Sequence, residues 1–409
     1  MSSDVVIVGA GPAGLAAAIS AARRASVTVL ERMSRPGLKL LASGGGRCNV
    51  TNTLGIKEFV KAFGKRGGFI RPALKAIDPA GLREMLQNLG VRTFSPDGVH
   101  VYPVSQRSSD VLNALLDECR TRRVRFMFNS AAKAPKVSHG KVVGLETSEG
   151  TITSTRVILC CGGRGYPALG GSDIGYKLAR QCGHKIVLPT WALVPLVTKE
   201  RWPGGCAGIS MDDVQVRIHV PGLRASEQGS VLFTHRGISG PAVLNISSEV
   251  GRILGEGAKA VELTLAMTGI DEREWLSRLD LARREHGRRS VASYLADFIP
   301  SRLARALCEA AGTECGVACA HVSSADARKL ARILGRTTLT ITATEGWSAA
   351  MVTRGGVDLS EVDPRTLASR LTDGLYFAGE ILDLDGPSGG FNLQWAFSSG
   401  LLAGQMAKG

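Results

Sequence analysis

A glycine-rich turn near the start of the chain constrains the fold more than any other feature of the sequence. It separates a short apolar run, DVVIV at 4–8, from an alanine-rich run with helical character, and SVTVLE follows at 26–31. Apolar runs of this length that end at a glycine are typical of buried strands. The order strand, turn, helix, strand predicts a β-α-β unit, and therefore an α/β fold around a parallel sheet.

The glycines of this turn have the spacing Gly9-x-Gly11-x-x-Gly14. The first permits a tight turn, the second lets the backbone approach a pyrophosphate, and the third lets the helix pack closely on the strand. The free N–H groups and the dipole at the start of the helix favour phosphate. Glu31 follows the second strand, where it suits the ribose hydroxyls of an adenosine and would repel a 2′-phosphate. These residues predict a dinucleotide site that excludes NADP.

A glycine–acid pair far along the chain distinguishes FAD from NAD. VILCCGG at 157–163 is a strand that enters a glycine turn, and LYFAGE at 375–380 places Gly379 and Glu380 after another strand. FAD in extended form reaches well beyond the first β-α-β unit, and Glu380 suits its ribityl hydroxyls. The last helix begins near Asn392, and its positive N-terminus would favour the anionic reduced flavin. The sequence therefore predicts FAD as the cofactor.

The middle of the chain has a different character from its two ends. Short strand patterns separated by glycine and proline follow Trp191 and predict an antiparallel sheet or small barrel, and several helical patterns then occupy 271–335. After them the chain returns to apolar strands and glycine turns. We predict a Rossmann-like FAD-binding domain split into residues 1–190 and 341–409. A β-barrel-like domain is inserted at 191–340 and carries a helical subdomain at about 270–336.

The charge balance raises the question of a nucleic-acid partner. The 409 residues include 50 Lys and Arg against 36 Asp and Glu, a net charge of +14. Much of the excess is arginine on expected helix faces, as in LARREHGRRS at 281–290, and no RNA-binding motif accompanies it. We therefore expect a small-molecule substrate and no nucleic acid.

The cysteines and the N-terminus indicate a cytoplasmic protein. The nine cysteines are scattered, and only Cys315 and Cys319 approach a metal-binding spacing, without a second pair, so we expect no metal. Free thiols indicate a reducing compartment. The apolar run at 5–22 is broken by glycine and proline and has no basic residue before it, unlike an export signal. No other stretch predicts a membrane span.

Five segments carry a family resemblance: VVIVGAGPAGLAAA, LKLLASGGGRCNVTN, LFTHRGISGPAVLNIS, VTRGGVDL and GLYFAGEILDLDGPSGGFNLQWAFSSG. Together they resemble the HI0933-like flavoproteins over essentially the whole chain. The resemblance implies a flavoprotein fold with a barrel-like insert, and it implies that the SGGGRCN loop passes alongside the flavin. The residues then expected to contact FAD are Gly9, Ala10, Gly11, Pro12, Ala13, Gly14, Glu31, Arg32, Lys39, Gly44, Gly45, Gly46, Arg47, Cys48, Asn49, Ala132, Gly162, Gly379, Glu380, Gly390, Asn392 and Leu393.

Three residues are candidates for catalysis, namely His235, Tyr166 and Cys48. A histidine suits acid–base chemistry near neutral pH, although one near a strand end more often makes a structural hydrogen bond. Cys48 lacks a Cys-x-x-Cys partner for a disulfide relay, which favours a packing role. Asp173 in GGSDIGY stands one position away from the aspartate of many relatives, so no role is assigned to it.

The predicted function is that of an FAD-dependent oxidoreductase that acts on a small organic substrate. The middle segment has no second GxGxxG. Electrons would therefore come either from loosely docked NAD(P)H or from an organic substrate, with oxygen as acceptor. The family is linked to amine oxidation and to the reduction of steroid-like enones, and both reactions stay open. The alternatives are a flavoprotein that acts on or binds RNA and a flavin redox sensor without turnover.

Overall fold

The structure is a computed structural model that describes residues 1–220 and 225–407. Its described residues divide into two compact units. The first, here the sheet unit, comprises residues 1–191 and 351–407, and the second, the barrel unit, comprises residues 192–350. The inserted segment was expected to end at residue 340, which lies inside a strand at 337–344 of the barrel unit.

Nineteen strands lie within the described residues: β1 Val5–Val8, β2 Val27–Leu30, β3 Thr51–Asn52, β4 Thr93–Phe94, β5 His100–Pro103, β6 Arg125–Met127, β7 Ala132–Ser138, β8 Lys141–Thr147, β9 Gly150–Thr153, β10 Arg156–Leu159, β11 Ile186–Ala192, β12 Leu196–Thr198, β13 Ser210–His219, β14 Ser226–Thr234, β15 Gly237–Ser239, β16 Val261–Ala266, β17 Thr337–Thr344, β18 Val352–Val357 and β19 Leu375–Phe377. The same residues form fourteen α-helices: α1 Pro12–Ala21, α2 Leu38–Ala42, α3 Ile56–Ala62, α4 Gly67–Ala76, α5 Pro79–Asn88, α6 Ser108–Thr121, α7 Ile174–Gln181, α8 Trp202–Gly205, α9 Pro241–Gly255, α10 Glu272–Glu285, α11 Val291–Leu295, α12 Ser301–Ala310, α13 Ser324–Gly335 and α14 Phe391–Met406.

The sheet unit is built on a five-stranded parallel sheet in the order β19-β10-β1-β2-β6. All four residues of β1 are buried, as expected for a central strand covered on both faces. The sheet confirms the predicted Rossmann-like core, and β1, α1 and β2 form the predicted β-α-β unit.

Helices α1 and α14 pack against one another through small residues. A Cβ added at Gly400 would come within 3.0 Å of the Ala16 Cβ, and one at Gly404 would come within 2.9 Å of the Ala17 Cα. Such a close approach needs glycine on one helix and alanine on the other. The alanine-rich start of the chain and its glycine-containing end therefore belong to one core, which explains how the split domain closes.

The barrel unit contains a closed barrel in the order β12-β15-β14-β13-β16-β17, with antiparallel neighbours. Alternate residues of β13 and β17 are buried, because successive side chains of a strand point to opposite faces. Helices α10–α13 lie between β16 and β17 in the chain, and buried Trp275 makes an edge contact with Phe298 at 5.2 Å between ring centroids. The expected barrel-like insert with its helices is confirmed.

Several elements of the sheet unit were not predicted from the sequence. Helices α3–α6 occupy much of 56–121, with the small sheet β3-β5-β4 among them. Strands β7 and β9, which flank β8 in an antiparallel meander, were not predicted either. None of the helices formed by the described residues combines the length and apolar character that a bilayer crossing requires.

Candidate dinucleotide-binding site

The candidate site lies at the carboxyl edge of the parallel sheet. Because all five strands run in the same direction, the segments that follow β1, β2, β10 and β19 meet at one edge. These segments contain the Gly9 turn, Glu31, Gly162 and Glu380. Strands β2 and β19 are three steps apart, about 14 Å at the usual strand spacing. The edge therefore suits an elongated ligand with Glu31 and Glu380 on opposite sides of the Gly9 turn.

The glycine turn forms an open cradle at the start of α1. Gly9 has φ +105°, which favours glycine, and a Cβ on Gly14 would overlap the Gly9 carbonyl oxygen. A Cβ on Gly11 would meet no atom within 4 Å. No side chain caps the helix, so the first-turn N–H groups of Ala13 and Gly14 have no intrahelical acceptor. Free donors and open space at Gly11 fit a pyrophosphate.

Glu31 braces this cradle. Its Oε2 accepts the Ala10 N–H at 2.9 Å, and its Oε1 accepts the Met33 N–H at 2.9 Å. A carboxylate has about four acceptor positions, so further ones stay available to ribose hydroxyls. The Ser130 N–H bonds to the Glu31 carbonyl at 3.0 Å, while the buried Ser130 Oγ makes no hydrogen bond to a described residue. Arg32 is exposed and donates to the Gly171 carbonyl at 3.2 Å.

Glu380 is held from two directions. The Lys39 Nζ lies 2.9 Å from its Oε2, and the Thr353 N–H donates to its Oε1 at 2.9 Å. The two side chains of the ion pair are 26% and 21% exposed, so the pair is only partly desolvated. Buried Tyr176 is adjacent to Thr353 and Glu380, and its burial and the Glu380 charge raise the pKa of its phenol, which stays protonated. A protonated phenol therefore lies beside the Glu380 side chain.

The glycine triplet follows the short helix α2. Gly44, Gly45 and Gly46 have φ values of +57°, +66° and +87°, in the left-handed region that explains the choice of glycine. Arg47 donates from Nε to the Gly44 carbonyl at 3.3 Å and places its guanidinium over the Tyr102 ring. The side chain of Arg47 thus closes the loop on itself.

The residues after Arg47 turn inward. Cys48 is fully buried at φ +62°, and burial raises the pKa of its thiol to about 12. The thiol is neutral at physiological pH, which favours the packing role over nucleophilic chemistry. The Asn49 Oδ1 accepts the Val101 N–H at 3.2 Å, so this side chain also fixes the loop.

The same loop contacts the start of α14. The Asn52 Nδ2 donates to the Gly389 carbonyl at 3.2 Å, and Gly390, the N-cap at φ +85°, lies against the Thr51 backbone. Asn392 closes the preceding turn, since its side chain both accepts from and donates to the Gly386 backbone at 2.8 Å. No side chain caps α14, so its first turn, which includes Leu393, presents free N–H groups and the positive end of the helix dipole.

Buried hydroxyl groups without a hydrogen bond to any described residue support the fit to FAD. Three of them belong to segments at this edge, namely Thr51, Ser130 and Ser172. A buried hydroxyl without a partner is costly, and a ligand rich in hydroxyls and phosphates would satisfy it. With the open cradle and the two uncapped helix starts, the residues present fit FAD.

The other predicted residues have less distinctive surroundings. Gly162 and Gly379 have φ +67° and +77° in the turns after β10 and β19, and Ala132 is buried at the start of β7. Tyr166 is half-buried at φ +52° in the sheet unit. His235 is exposed in the turn between β14 and β15 of the barrel unit.

Asp173, to which no role was assigned, pairs with Arg164 at 2.8 Å. No group of three His, Cys, Asp or Glu side chains suited to a metal ion occurs in residues 1–220 and 225–407.

Comparison with known proteins identifies the family. The model of the HI0933-like protein Rossmann domain matches residues 3–406. The chain belongs to the HI0933-like family. A 3-dehydro-bile acid delta(4,6)-reductase from Clostridium scindens is 34% identical to this chain over 411 residues, which cover 98% of each protein. A ribosomal RNA dihydrouridine synthase from Escherichia coli is 32% identical over 408 residues, which cover 97% of this chain and 96% of the relative.

A solved structure shares the fold of this HI0933-like chain. It is the 3-ketosteroid-delta4-(5alpha)-dehydrogenase from Rhodococcus jostii, with a TM-score of 0.57 at 15% identity, and the match covers 99% of this chain and 96% of that one. The predicted family and the predicted class of FAD-dependent oxidoreductase are confirmed.

Sequence reasoning missed part of the site. Thr353 lies in the VTRGGVDL segment and Tyr176 in GGSDIGY, but neither was assigned a contact with Glu380. Thr51 and Ser130 were also overlooked, because a hydroxyl residue carries no spacing signal of its own. Only the folded chain shows which hydroxyls are buried without a partner.

Proposed function

We propose that this protein is an FAD-dependent reductase of a carbon–carbon double bond conjugated to a carbonyl group. The observation that carries the proposal is the near full-length match to two relatives whose names describe one kind of reaction. A 3-dehydro delta(4,6) steroid has double bonds conjugated to a ketone. Uridine, the precursor of dihydrouridine, has a ring double bond conjugated to a carbonyl. Both reactions add a hydride and a proton across an electron-poor double bond.

The residues of the sheet unit would hold the cofactor along the carboxyl edge. The Gly9–Gly14 turn and the start of α1 would bind the pyrophosphate, Glu31 the adenosine ribose, and Glu380 the ribityl chain. When bound, reduced FAD supplies a hydride to the β-carbon of the substrate, and a proton adds to the α-carbon. The start of α14 would place positive potential near the flavin, which stabilises its anionic reduced form.

The side chains around Glu380 support this arrangement. Lys39 and the Thr353 N–H each engage one carboxylate oxygen, so Glu380 is fixed in orientation before FAD binds. The neutral Tyr176 hydroxyl can donate a hydrogen bond without a change of charge. This preorganisation would lower the entropic cost of holding a flexible ribityl chain.

Reduction is favoured over amine oxidation because the names of both relatives describe a substrate that is reduced, whereas an amine substrate would be oxidised. The electrons would then come from NAD(P)H, which donates two electrons and a proton equivalent as hydride. The balanced reaction converts the conjugated alkene, NAD(P)H and a proton into the saturated carbonyl compound and NAD(P)⁺.

A uracil base in RNA is the second candidate substrate for the same reaction. The net charge of +14 favours it, since a polyanion is attracted to a basic protein. A steroid-like enone, by contrast, needs no such charge. The two candidates differ in the molecule that carries the double bond, not in the chemistry at the flavin.

Anaerobic mixing of the FAD-loaded protein with NADH, NADPH and a panel of small amines tests the direction of electron flow. The proposal predicts rapid loss of oxidised-flavin absorbance with a nicotinamide and none with amines. Bleaching by an amine alone, followed by peroxide formation in air, would instead assign the protein to the amine oxidases.

A further inference from the structure

The helices α3 and α4 and the turn between them carry an unusually basic surface. Residues 56–76 contain one acid, Glu58, and the six cations listed next. These are Lys57, Lys61, Lys65, Arg66, Arg71 and Lys75, all of them exposed. Lys57 and Lys61 are four residues apart on α3, as are Arg71 and Lys75 on α4, so each pair shares a helix face. This set of six cations is called the α3–α4 surface.

The cations of this surface are mostly unpaired within the described residues, whereas some cations on other helices pair with an acid on the same helix. Arg252 on α9 pairs with Glu249, and Arg278 on α10 pairs with Glu274 at 2.6 Å. On the α3–α4 surface only Arg66 forms an ion pair with a described residue, Asp383. Like charges four residues apart repel each other and destabilise a helix. A surface that retains five unpaired cations is therefore suited to an external polyanion.

The position of the α3–α4 surface connects it with the candidate site. Arg66 bonds to both the side chain and the backbone carbonyl of Asp383, three residues after Glu380. On the inner side of the same helices, Phe59 and Phe63 pack against Phe391, the first residue of α14. The basic surface thus borders the loop that leads from Glu380 to the start of α14.

We infer that the α3–α4 surface binds the phosphate backbone of an RNA whose uracil base is the substrate of the site. The inference rests on the proposed reduction of a conjugated double bond. Lysine and arginine side chains in a row contact successive phosphates, and the contact fixes position without reading sequence. A steroid-like molecule with one anionic group could engage only one or two of these cations, so the surface favours RNA over a small acid.

Binding of a fluorescein-labelled, uridine-containing RNA to the FAD-loaded protein, followed by anisotropy at several salt concentrations, tests the inference. The surface variant carries Lys57→Gln, Lys61→Gln, Arg71→Gln and Lys75→Gln. The control variant removes the same charge from exposed arginines of the barrel unit and carries Arg273→Gln, Arg283→Gln, Arg284→Gln and Arg288→Gln. Flavin absorbance and circular dichroism establish that both variants are folded.

The inference predicts that the surface variant binds RNA at least about tenfold more weakly than wild type at about 50 mM salt. Its slope of log K against log salt should fall in magnitude by about 3, since each single-strand phosphate contact contributes about 0.7. The control variant should retain most of the affinity and slope. Equal losses in both variants, or no loss in either, would overturn the inference.

The assay separates this inference from the proposed reaction, because binding is measured without turnover. A wild-type protein that binds RNA through the α3–α4 surface but reduces no conjugated double bond would refute the proposed reaction and support the α3–α4 surface as an RNA-binding surface. A protein that reduces a conjugated double bond but binds RNA equally with and without these cations would support the proposed reaction and refute RNA binding by the α3–α4 surface.

Discussion

Replacement of two glycines in the same turn should separate folding from cofactor binding. In Gly14→Ala the new Cβ overlaps the Gly9 carbonyl oxygen, so α1 must shift away from β1. Overpacking of this kind costs about 1–3 kcal/mol of the free energy of unfolding. In Gly11→Ala the new Cβ meets no protein atom within 4 Å, and the backbone at φ −79° and ψ −176° suits alanine. The apoprotein should keep its stability or gain about 0.4–1 kcal/mol.

The same methyl group of Gly11→Ala would occupy the space assigned to the pyrophosphate. Displacement of the phosphates from the first-turn N–H groups of Ala13 and Gly14 would remove two charge-assisted hydrogen bonds. At about 1.5 kcal/mol each, the loss is about 3 kcal/mol. This corresponds to a roughly 100-fold weaker Kd for FAD.

Denaturant unfolding of the apoprotein and titration with FAD measure the two effects independently. We expect Gly14→Ala to lower the free energy of unfolding, and Gly11→Ala to lower FAD affinity without that loss. Wild-type FAD affinity in a stable Gly11→Ala variant would refute the placement of the pyrophosphate at this turn.

Further predictions concern the ion pair, the buried thiol and the buried histidine. Lys39→Ala and Glu380→Ala should each weaken FAD retention. A double-mutant cycle on the Kd for FAD should show coupling, because the two side chains are in contact. Additive effects would contradict the proposal that Lys39 orients Glu380 for FAD. Cys48 should resist iodoacetamide at pH 8 in the folded protein and react after unfolding, since burial raises its pKa to about 12; native modification seen by mass spectrometry would contradict this. Burial lowers the pKa of His184 below 6.5, because the cost of burying the charged imidazole outweighs the opposing effect of Glu361. The contribution of neutral His184 to stability is therefore present above pH 6.5 and is lost as the pH falls through the pKa in the folded state. The free energy of unfolding should therefore decline from pH 7 to pH 5 less steeply in His184→Gln than in wild type, and equal slopes would contradict the assignment.

Local sequence patterns were sufficient to predict the elements that position the cofactor. The spacing of Gly9, Gly11 and Gly14 predicts the turn because each glycine meets a steric requirement within a few residues. The helices α10–α13 and the strands of the barrel likewise follow from short-range apolar periodicity. In these regions local preference and the final fold agree.

The contacts between distant segments could not be predicted in the same way. Lys39 and Glu380 are 341 residues apart in sequence, and Asn52 and Gly389 are 337 apart. Such pairs form only because α14 packs on α1 and returns the end of the chain to its start. The bracing of Ala10 by Glu31 was also not foreseen, since the motif assigns that acid to the ribose alone.

Anaerobic oxidation of the reduced, FAD-loaded protein by an activated alkene tests the central claim most directly. The protein is first reduced with a stoichiometric amount of dithionite, then mixed with a 3-oxo-4-ene steroid, with a uridine-containing RNA, or with the saturated counterpart of each. The account predicts return of oxidised-flavin absorbance with at least one unsaturated compound, and a product heavier by two hydrogens. No reoxidation by either unsaturated compound, together with rapid reoxidation by oxygen, would contradict it.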